Sequence, residues 1–291
     1  MGKSENELKP QTALWRYMDV ARFLALIDRK ELYFPRLHEL QNDDAWEGAV
    51  SLSDSAFEHD REYMHKAATD INSTLPMVSC WHENETESVA MWKLYVSGRE
   101  GVAIKTTVAS LIQLLSVGRE LKLGRVLYRD IDDFEPPPNI FSFEDGNCTG
   151  GIFRPTERFI FRKNKGYTHE QEVRAVIYET YDGTQAIFSP GVFHDLRLQR
   201  DPEKPSGMSV QVDIPVLIHK IVVSPAFPSW AIKSLQKAVD AAFFPASPIE
   251  VKPSVVLDKP IIGNSEAPSQ KGSAFETRQE HKFMPSACRR R

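Results

Sequence analysis

The sequence predicts one α+β domain in which sheets are flanked by helices. Short apolar runs rich in β-branched and aromatic residues are interspersed with stretches that repeat apolar residues at helical spacing. Hydrophobic residues make up 41% of the 291 residues and charged residues 26%, which is ordinary for a globular protein. A chain of this length can bury a sizeable core as one large domain.

The predicted elements follow from local patterns along the chain. Residues 14–18 predict the first strand, and Asp19 predicts a helix N-cap, because its carboxylate can accept hydrogen bonds from the first free N–H groups. Further strands are predicted at 32–34, 77–81, 101–104, 124–128, 208–213 and 218–224, with another opening near Glu170. Further helices are predicted at 54–72, 87–95, 108–115, 153–165 and 229–243. The proline-rich loop 130–151 is predicted to be functional or mobile.

Composition divides the chain into three parts. Residues 1–12 predict a flexible N-terminus, residues 13–258 a single globular domain, and residues 259–291 a disordered tail rich in Ser, Pro, Gln and charge.

A net charge of -4 provides no global field that would attract nucleic acid. The N-terminus lacks an apolar signal core and no apolar run is long enough for a bilayer, so we expect a cytoplasmic protein without membrane contact. The sequence carries no signal for an oligomeric state.

The three cysteines, Cys80, Cys148 and Cys288, are odd in number and far apart, without a C-x-x-C pair. This spacing argues against a disulfide framework or a structural zinc site, and no metal is expected. Phosphate-binding glycine loops, a serine nucleophile elbow and a His-Glu-x-x-His zinc motif are also absent from the sequence.

Two glutamates one residue apart, Glu170 and Glu172, stand where a buried strand is predicted to begin. Side chains at positions i and i+2 of a strand point to the same face, so the two carboxylates are expected to converge on one ligand. A catalytic acid–base pair needs such an arrangement. The alternative is a solvated strand end whose carboxylates pair with Arg174 and Lys165.

Four segments resemble an uncharacterised bacterial family known as domain of unknown function 2971, over about residues 14–243. They are Asn42-Asp43-x-x-Trp46-Glu47-Gly48; Ser79-Cys80-Trp81 with Met91-Trp92-x-x-Tyr95; Lys165 with Glu170-x-Glu172-x-Arg174; and Val212-Asp213-Ile214 with Leu217-Ile218 and Val222-x-Ser224-Pro225. This resemblance implies no function.

The order of elements also resembles the ADP-ribosyltransferase fold of the Arg–Ser–Glu type, which implies mixed, strongly bent sheets and NAD as substrate. The resemblance implies that Arg16 binds a phosphate of NAD, that Ser79 supports the nicotinamide side, and that Glu172 is catalytic while Glu170 assists the acceptor. The family's Ser-Thr-Ser triplet is Val78-Ser79-Cys80 here, so one hydroxyl remains. The implied acceptor is a macromolecule, either protein or nucleic acid, and the implied role is that of a bacterial toxin or antiphage effector.

Three aromatic residues complete the predicted NAD site. Tyr17 adjoins Arg16, and Trp92 and Tyr95 share one face of a predicted helix at i and i+3, where they could wall a nicotinamide or adenine pocket. Aromatic side chains at helical spacing also commonly pack in a core. The chemistry suits the residue types, because a carboxylate stabilises the oxocarbenium-like state formed when the nicotinamide–ribose bond breaks.

Two other classes of function stay open on the sequence. A metal-dependent nuclease would use hard oxygen ligands for magnesium, next to a basic and aromatic stretch over residues 154–165. The candidate ligands are Asp43, Asp44, Glu47, Glu170 and Glu172. Against this class, the lysines precede the glutamates rather than follow them. A binding module without activity would use the charged helix 54–72 and the long loop as partner surfaces.

Overall fold

The computed structural model describes residues 8–42, 76–96, 100–130, 140–148, 160–178, 206–247 and 249–257. These residues belong to one compact unit, Met1–Leu257. The predicted helix 54–72, the acidic cluster 43–47, most of the loop 130–151 and the tail 259–291 lie outside the described residues. None of the described helices is long and apolar enough to cross a membrane.

The described residues form an α+β domain, as the sequence predicts. The strands are β1 (Ala13–Asp19), β2 (Glu31–Pro35), β3 (Pro76–Glu83), β4 (Gly101–Thr107), β5 (Leu121–Arg125), β6 (Leu127–Arg129), β7 (Ile140–Glu144), β8 (Asn147–Cys148), β9 (Arg162–Asn164), β10 (Glu172–Tyr178), β11 (Gly207–Gln211), β12 (Lys220–Val223) and β13 (Val251–Pro253). The helices are α1 (Val20–Arg29), α2 (Val89–Tyr95), α3 (Val108–Leu115), α4 (Ile214–Leu217) and α5 (Ser229–Phe243), with 3-10 helices at Leu37–Asn42 and Lys165–Glu170.

Nine of these strands form one mixed sheet in the order β13-β12-β4-β1-β3-β10-β5-β7-β8. Its pairs are antiparallel except for β12 with β13. Strands β2 and β11 pair separately, as do β6 and β9. The strand predicted at 124–128 is instead divided between β5 and β6, and the predicted helix 153–165 contains strand β9 among its described residues.

The central strands are buried on both faces, and alternation along each strand decides which core a side chain joins. One face carries Leu14, Met18 and Trp81 into the main core, with residues from α1, α3, α4 and α5. The other face carries Trp15 and Tyr17 into a smaller core beneath α2. The two faces of β1 therefore serve different environments.

Helices α1, α2 and α3 begin where short polar side chains cap them. Asp19 accepts a hydrogen bond from the backbone N–H of Arg22 at 2.8 Å, which confirms the predicted N-cap of α1. Ser88 caps α2 and Thr107 caps α3 in the same way, each accepting from the N–H three residues later. Helix α1 ends at Lys30, whose φ of 56° is left-handed. Of these caps, the one at Ser88 fixes the start of α2, which lies over the smaller core.

Candidate active site

Glu172, the first residue of β10, is buried and forms a two-point ion pair with Arg174 on the same face of the strand. Arg174 donates from Nε to Oε1 at 2.6 Å and from Nη2 to Oε2 at 3.1 Å. A third donor of Arg174, Nη1, reaches the carbonyl oxygen of Ile160 at 2.5 Å. Burial alone raises the pKa of Glu172, but the charge and hydrogen bonds of Arg174, with Lys163 nearby, hold it below its usual value. The carboxylate is therefore ionised at neutral pH.

Glu170 ends the 3-10 helix Lys165–Glu170 and is also buried, although it is not part of the strand. Gln171 takes a left-handed φ of 42° between the two glutamates, so the predicted i and i+2 strand geometry is wrong. The two carboxylates nevertheless meet at one cation, because Lys163 Nζ lies 2.7 Å from Glu170 Oε2 and 3.8 Å from Glu172 Oε2.

The solvated strand end is also wrong as an account of these glutamates. Both have an exposed fraction of 6% or less, and the predicted partner Lys165 instead pairs with Asp130. The predicted pairing with Arg174 is confirmed for Glu172. Lys163, which belongs to the basic stretch 154–165, is instead the lysine that contacts both glutamates.

Two tyrosine hydroxyls contact this cluster. Tyr95 of α2 donates its hydroxyl hydrogen to Glu170 Oε1 at 2.9 Å, while 46% of the residue remains exposed. The Tyr128 hydroxyl accepts a hydrogen bond from the backbone N–H of Glu172 at 2.8 Å. Burial and the neighbouring carboxylates raise the pKa of both phenols, so both stay neutral donors and acceptors. Tyr95 is the point where the cluster reaches the surface.

His82 and Cys80 of β3 lie on the same sheet face, because His82 pairs with Glu172 and Cys80 with Arg174 across the strands. His82 Nδ1 donates to the carbonyl oxygen of Glu170 at 2.6 Å, and burial lowers its pKa, so the imidazole is neutral. The Cys80 thiol adds a hydrogen bond to Glu172. Nothing in the sequence placed this strand face beside Glu172.

Arg16 and Ser79 are brought together by the structure, on the opposite face of the sheet from Glu172. Arg16 Nη1 donates to Ser79 Oγ at 2.6 Å, and the same oxygen accepts from Trp81 Nε1 at 3.0 Å. Arg16 also lies over the Trp81 ring, 5.7 Å from its centroid. Ser79 pairs with Ala175, whereas Glu172 pairs with His82, so alternation separates Ser79 from the carboxylates. The predicted site thus divides between two faces.

Tyr17 and Trp92 share the face of Glu172 but are packed in the smaller core. Their rings meet edge to face with centroids 4.9 Å apart, and both residues are buried. The Tyr17 hydroxyl accepts from the backbone N–H of Ser88 at 2.8 Å, and burial raises its pKa to about 12. Trp92 Nε1 donates to Glu87 Oε2 at 3.2 Å. Of the predicted aromatic pair on α2, Tyr95 alone is exposed.

Only two of the magnesium ligands predicted for a nuclease, Glu170 and Glu172, are among the described residues. Asp43, Asp44 and Glu47 lie outside the described residues. Among the residues that the structure describes, no group of three or more His, Cys, Asp and Glu side chains is arranged to hold a metal ion. The described end of the basic stretch is used internally, since Arg162 Nη2 donates to the carbonyl oxygen of Asp130 at 2.5 Å.

Comparisons with known proteins find no matching family model and no matching curated protein. Among solved structures, the chain resembles DarT from Thermus sp. 2.9 in complex with ADP-ribosylated ssDNA, with a TM-score of 0.38 and 7% identity over 86% of this chain and 98% of that one. It also resembles the same protein in complex with NAD+, with a TM-score of 0.35 and 7% identity over 85% and 97% of the two chains. A likeness of this size carries no inference about activity. The resemblance to domain of unknown function 2971 stays a prediction.

Proposed function

We propose that the protein transfers ADP-ribose from NAD to a macromolecule, or hydrolyses NAD, with Glu172 as the catalytic carboxylate. The convergence of Glu172 and Glu170 on Lys163, beside the exposed Tyr95, supports this proposal. In this cluster two oriented carboxylates, one of which is held ionised, lie next to the point where α2 is exposed to solvent. The sequence resemblance to Arg–Ser–Glu transferases supplies the reaction class.

The reaction needs a fixed negative charge next to the ribose. When the bond between nicotinamide and the ribose carbon breaks, the bonding electrons leave with nicotinamide and positive charge develops on the ribose. An ionised carboxylate that is already oriented stabilises this charge without reorganisation at the moment of reaction. Arg174 keeps Glu172 ionised and fixes both of its oxygens, which suits this role.

Glu170 is assigned the acceptor side of the reaction. Its Oε1 is bonded to the hydroxyl of the half-exposed Tyr95, so an acceptor nucleophile approaching from solvent would meet this pair first. The nucleophile attacks the ribose carbon and gives up its proton, which Glu170 can receive as general base. The roles of Arg16 and Ser79 in NAD binding stay predictions, because both residues lie on the other face of the sheet.

A binding module without catalytic activity is the second candidate. Each of the two carboxylates is buried and bonded to a cation, and a purely structural ion-pair network has the same contacts. The nuclease has less support, since its lysines precede the glutamates in the sequence and its other candidate ligands lie outside the described residues. The candidates differ in their dependence on NAD and on divalent metal.

The experiment is to incubate the purified protein and a cell lysate with NAD labelled in the adenylate part, with and without EDTA. The wild type is expected to transfer label or release nicotinamide in both conditions, and Glu172→Gln to reduce this rate at least 100-fold, the scale of removing one electrostatic catalytic group. Cleavage of the lysate nucleic acid that EDTA abolishes, without any transfer of label, would favour the nuclease class and overturn the proposal.

Glu83→Gln is the matched control, since Glu83 makes a similar two-point ion pair with Arg125, at 2.6 and 2.8 Å. Arg125 pairs with Val173, a main-core residue, so this ion pair lies on the opposite sheet face. The control is expected to keep the activity. No turnover by the folded wild type, together with no rise of its melting temperature in NAD, would leave the binding module as the function.

A further inference from the structure

A cavity of about 500 Å³ lies away from Glu172, where β1, β4 and β12 meet the chain around Ile249. Its lining contains three lysines and one histidine. These residues are Lys105, Lys220, Lys252 and His219. Two carboxylates, Glu85 and Glu250, also line it. No residue of the Glu170–Glu172 cluster takes part, so this is a separate site.

Lys105 of β4 and Lys220 of β12 stand directly opposite each other in an antiparallel pair. Their side chains therefore leave the sheet on the same face, next to one another. Like charges at directly opposed positions are destabilising, and sheets ordinarily avoid this arrangement. Retaining both lysines here costs stability unless an anion lies between or above them.

The Trp15 ring holds both ammonium groups at the same place. Lys105 Nζ lies 5.6 Å and Lys220 Nζ 5.5 Å from the centroid of this ring. Cation–π attraction to one ring keeps the two charges together rather than letting them spread into solvent. Trp15 is itself 1% exposed, and its Nε1 donates to the carbonyl oxygen of Asn84 at 2.9 Å, so the ring next to the two ammonium groups is fixed in place.

The acidic side chains nearby leave one of the lysines uncompensated. Glu85 Oε2 is 3.9 Å from Lys105, and Glu250 Oε2 is 3.3 Å from Lys252. In the part of the chain that the structure describes, no carboxylate lies within ion-pair distance of Lys220. The cavity thus combines room for a small molecule with a positive charge that no carboxylate of the described residues neutralises.

We propose that this cavity binds a phosphate-bearing small molecule, whose phosphate oxygens bridge Lys105 and Lys220 above Trp15. Lysine is a common phosphate ligand that acts as a point charge, and two lysines on neighbouring strands suit a pyrophosphate group with oxygens at both ends. In the strand register, Trp15 and His82 stand between Lys105 and Glu172. The proposal is therefore independent of the proposed activity.

The test is calorimetric titration of the full-length protein with sodium pyrophosphate at constant ionic strength. The wild type is expected to bind one pyrophosphate, and Lys105→Gln/Lys220→Gln to bind at least tenfold more weakly. The matched control is Lys233→Gln/Lys237→Gln, which removes the same charge from exposed positions of α5 and is expected to leave the affinity unchanged. If the circular dichroism spectrum shows that the double variant is not folded like the wild type, Lys220→Gln alone replaces it. This single variant is expected to bind pyrophosphate at least threefold more weakly than the wild type.

Three results would overturn the proposal. The first is the absence of saturable heat with the wild type, and the second is an equal loss of affinity in the control variant. The third result would come from a titration with a single-stranded 12-mer oligonucleotide, which tests whether the phosphate belongs to a small molecule or to a nucleic acid. Lysine-dependent binding of the oligonucleotide that pyrophosphate does not displace would assign the surface to a nucleic acid backbone. Displacement of the oligonucleotide by pyrophosphate would support the small-molecule site.

Discussion

Arg174 binds both oxygens of Glu172 although the two residues are only two positions apart on one strand face. The guanidinium is completely buried, and it also donates to the carbonyl oxygen of Ile160. A cation with no access to water depends on the carboxylate for its compensation. The same ion pair that suits Glu172 for charge stabilisation therefore also supports the fold.

Arg174→Met is expected to destabilise the protein by about 3–5 kcal/mol, because it leaves a buried carboxylate without its main partner. Urea denaturation of the variant and wild type measures this difference. Arg125→Met breaks the comparable pair with Glu83, whose side chains are 31% and 27% exposed, and is expected to cost less than about 1 kcal/mol. Equal losses in the two variants would contradict the assignment. The double variant Arg174→Met/Glu172→Leu is expected to recover part of the loss.

Tyr95→Phe is expected to destabilise the protein by about 1–3 kcal/mol, the range for a hydrogen bond to a charged group, because Glu170 Oε1 loses its donor. The ring stays in place, so packing is unchanged. Thermal denaturation gives the stability, and the NAD assay gives the activity, which we expect to fall as well. Tyr33→Phe is a suitable control, since its hydroxyl is exposed and bonds to Ser206 Oγ at 2.9 Å. A change in Tyr95→Phe no larger than in this control would contradict the prediction.

His82 predicts a pH dependence of stability. Burial lowers its pKa in the folded state below the ordinary 6.5, so the unfolded chain takes up a proton at a pH where the folded protein does not. The stability contributed by neutral His82 is complete above pH 6.5 and is lost as the pH falls toward the lower folded value. The slope from this group is at most about 1.4 kcal/mol per pH unit.

Denaturant titrations between pH 5 and pH 8 measure this slope. His82→Gln is expected to flatten it relative to the wild type. A wild-type slope that survives in His82→Gln would show that another group titrates in this range.

Local signals in the sequence predict much of the fold. The run 14–18 predicts β1 and Asp19 the cap of α1, because both depend on neighbouring residues. Helices α3 and α5 likewise match the predicted ranges 108–115 and 229–243. Glu170 is different, since its place depends on Gln171 adopting a left-handed conformation that its residue type does not indicate.

The composition of the site depends on long-range pairing, which a single sequence does not reveal. Arg16, Ser79 and Glu172 were each predicted in strands, but their faces depend on the register of β1, β3 and β10. A shift of one residue would exchange the faces. The same register brings His82 and Cys80 to Glu172, which explains why the sequence did not identify them as part of the site.

Thr106 and Thr107 at the end of β4 predict opposite effects of the same substitution. Thr106 is completely buried, and its Oγ1 has no hydrogen-bond partner among the described residues, whereas Thr107 Oγ1 accepts from the N–H of Ser110 and caps α3. Thr106→Val keeps the branched shape and removes a desolvated hydroxyl, so we expect a gain of about 1 kcal/mol. Thr107→Val removes a cap and is expected to cost about 1 kcal/mol. Thermal denaturation of both variants checks the signs, and a loss of stability in Thr106→Val would mean that its hydroxyl has a partner in solution.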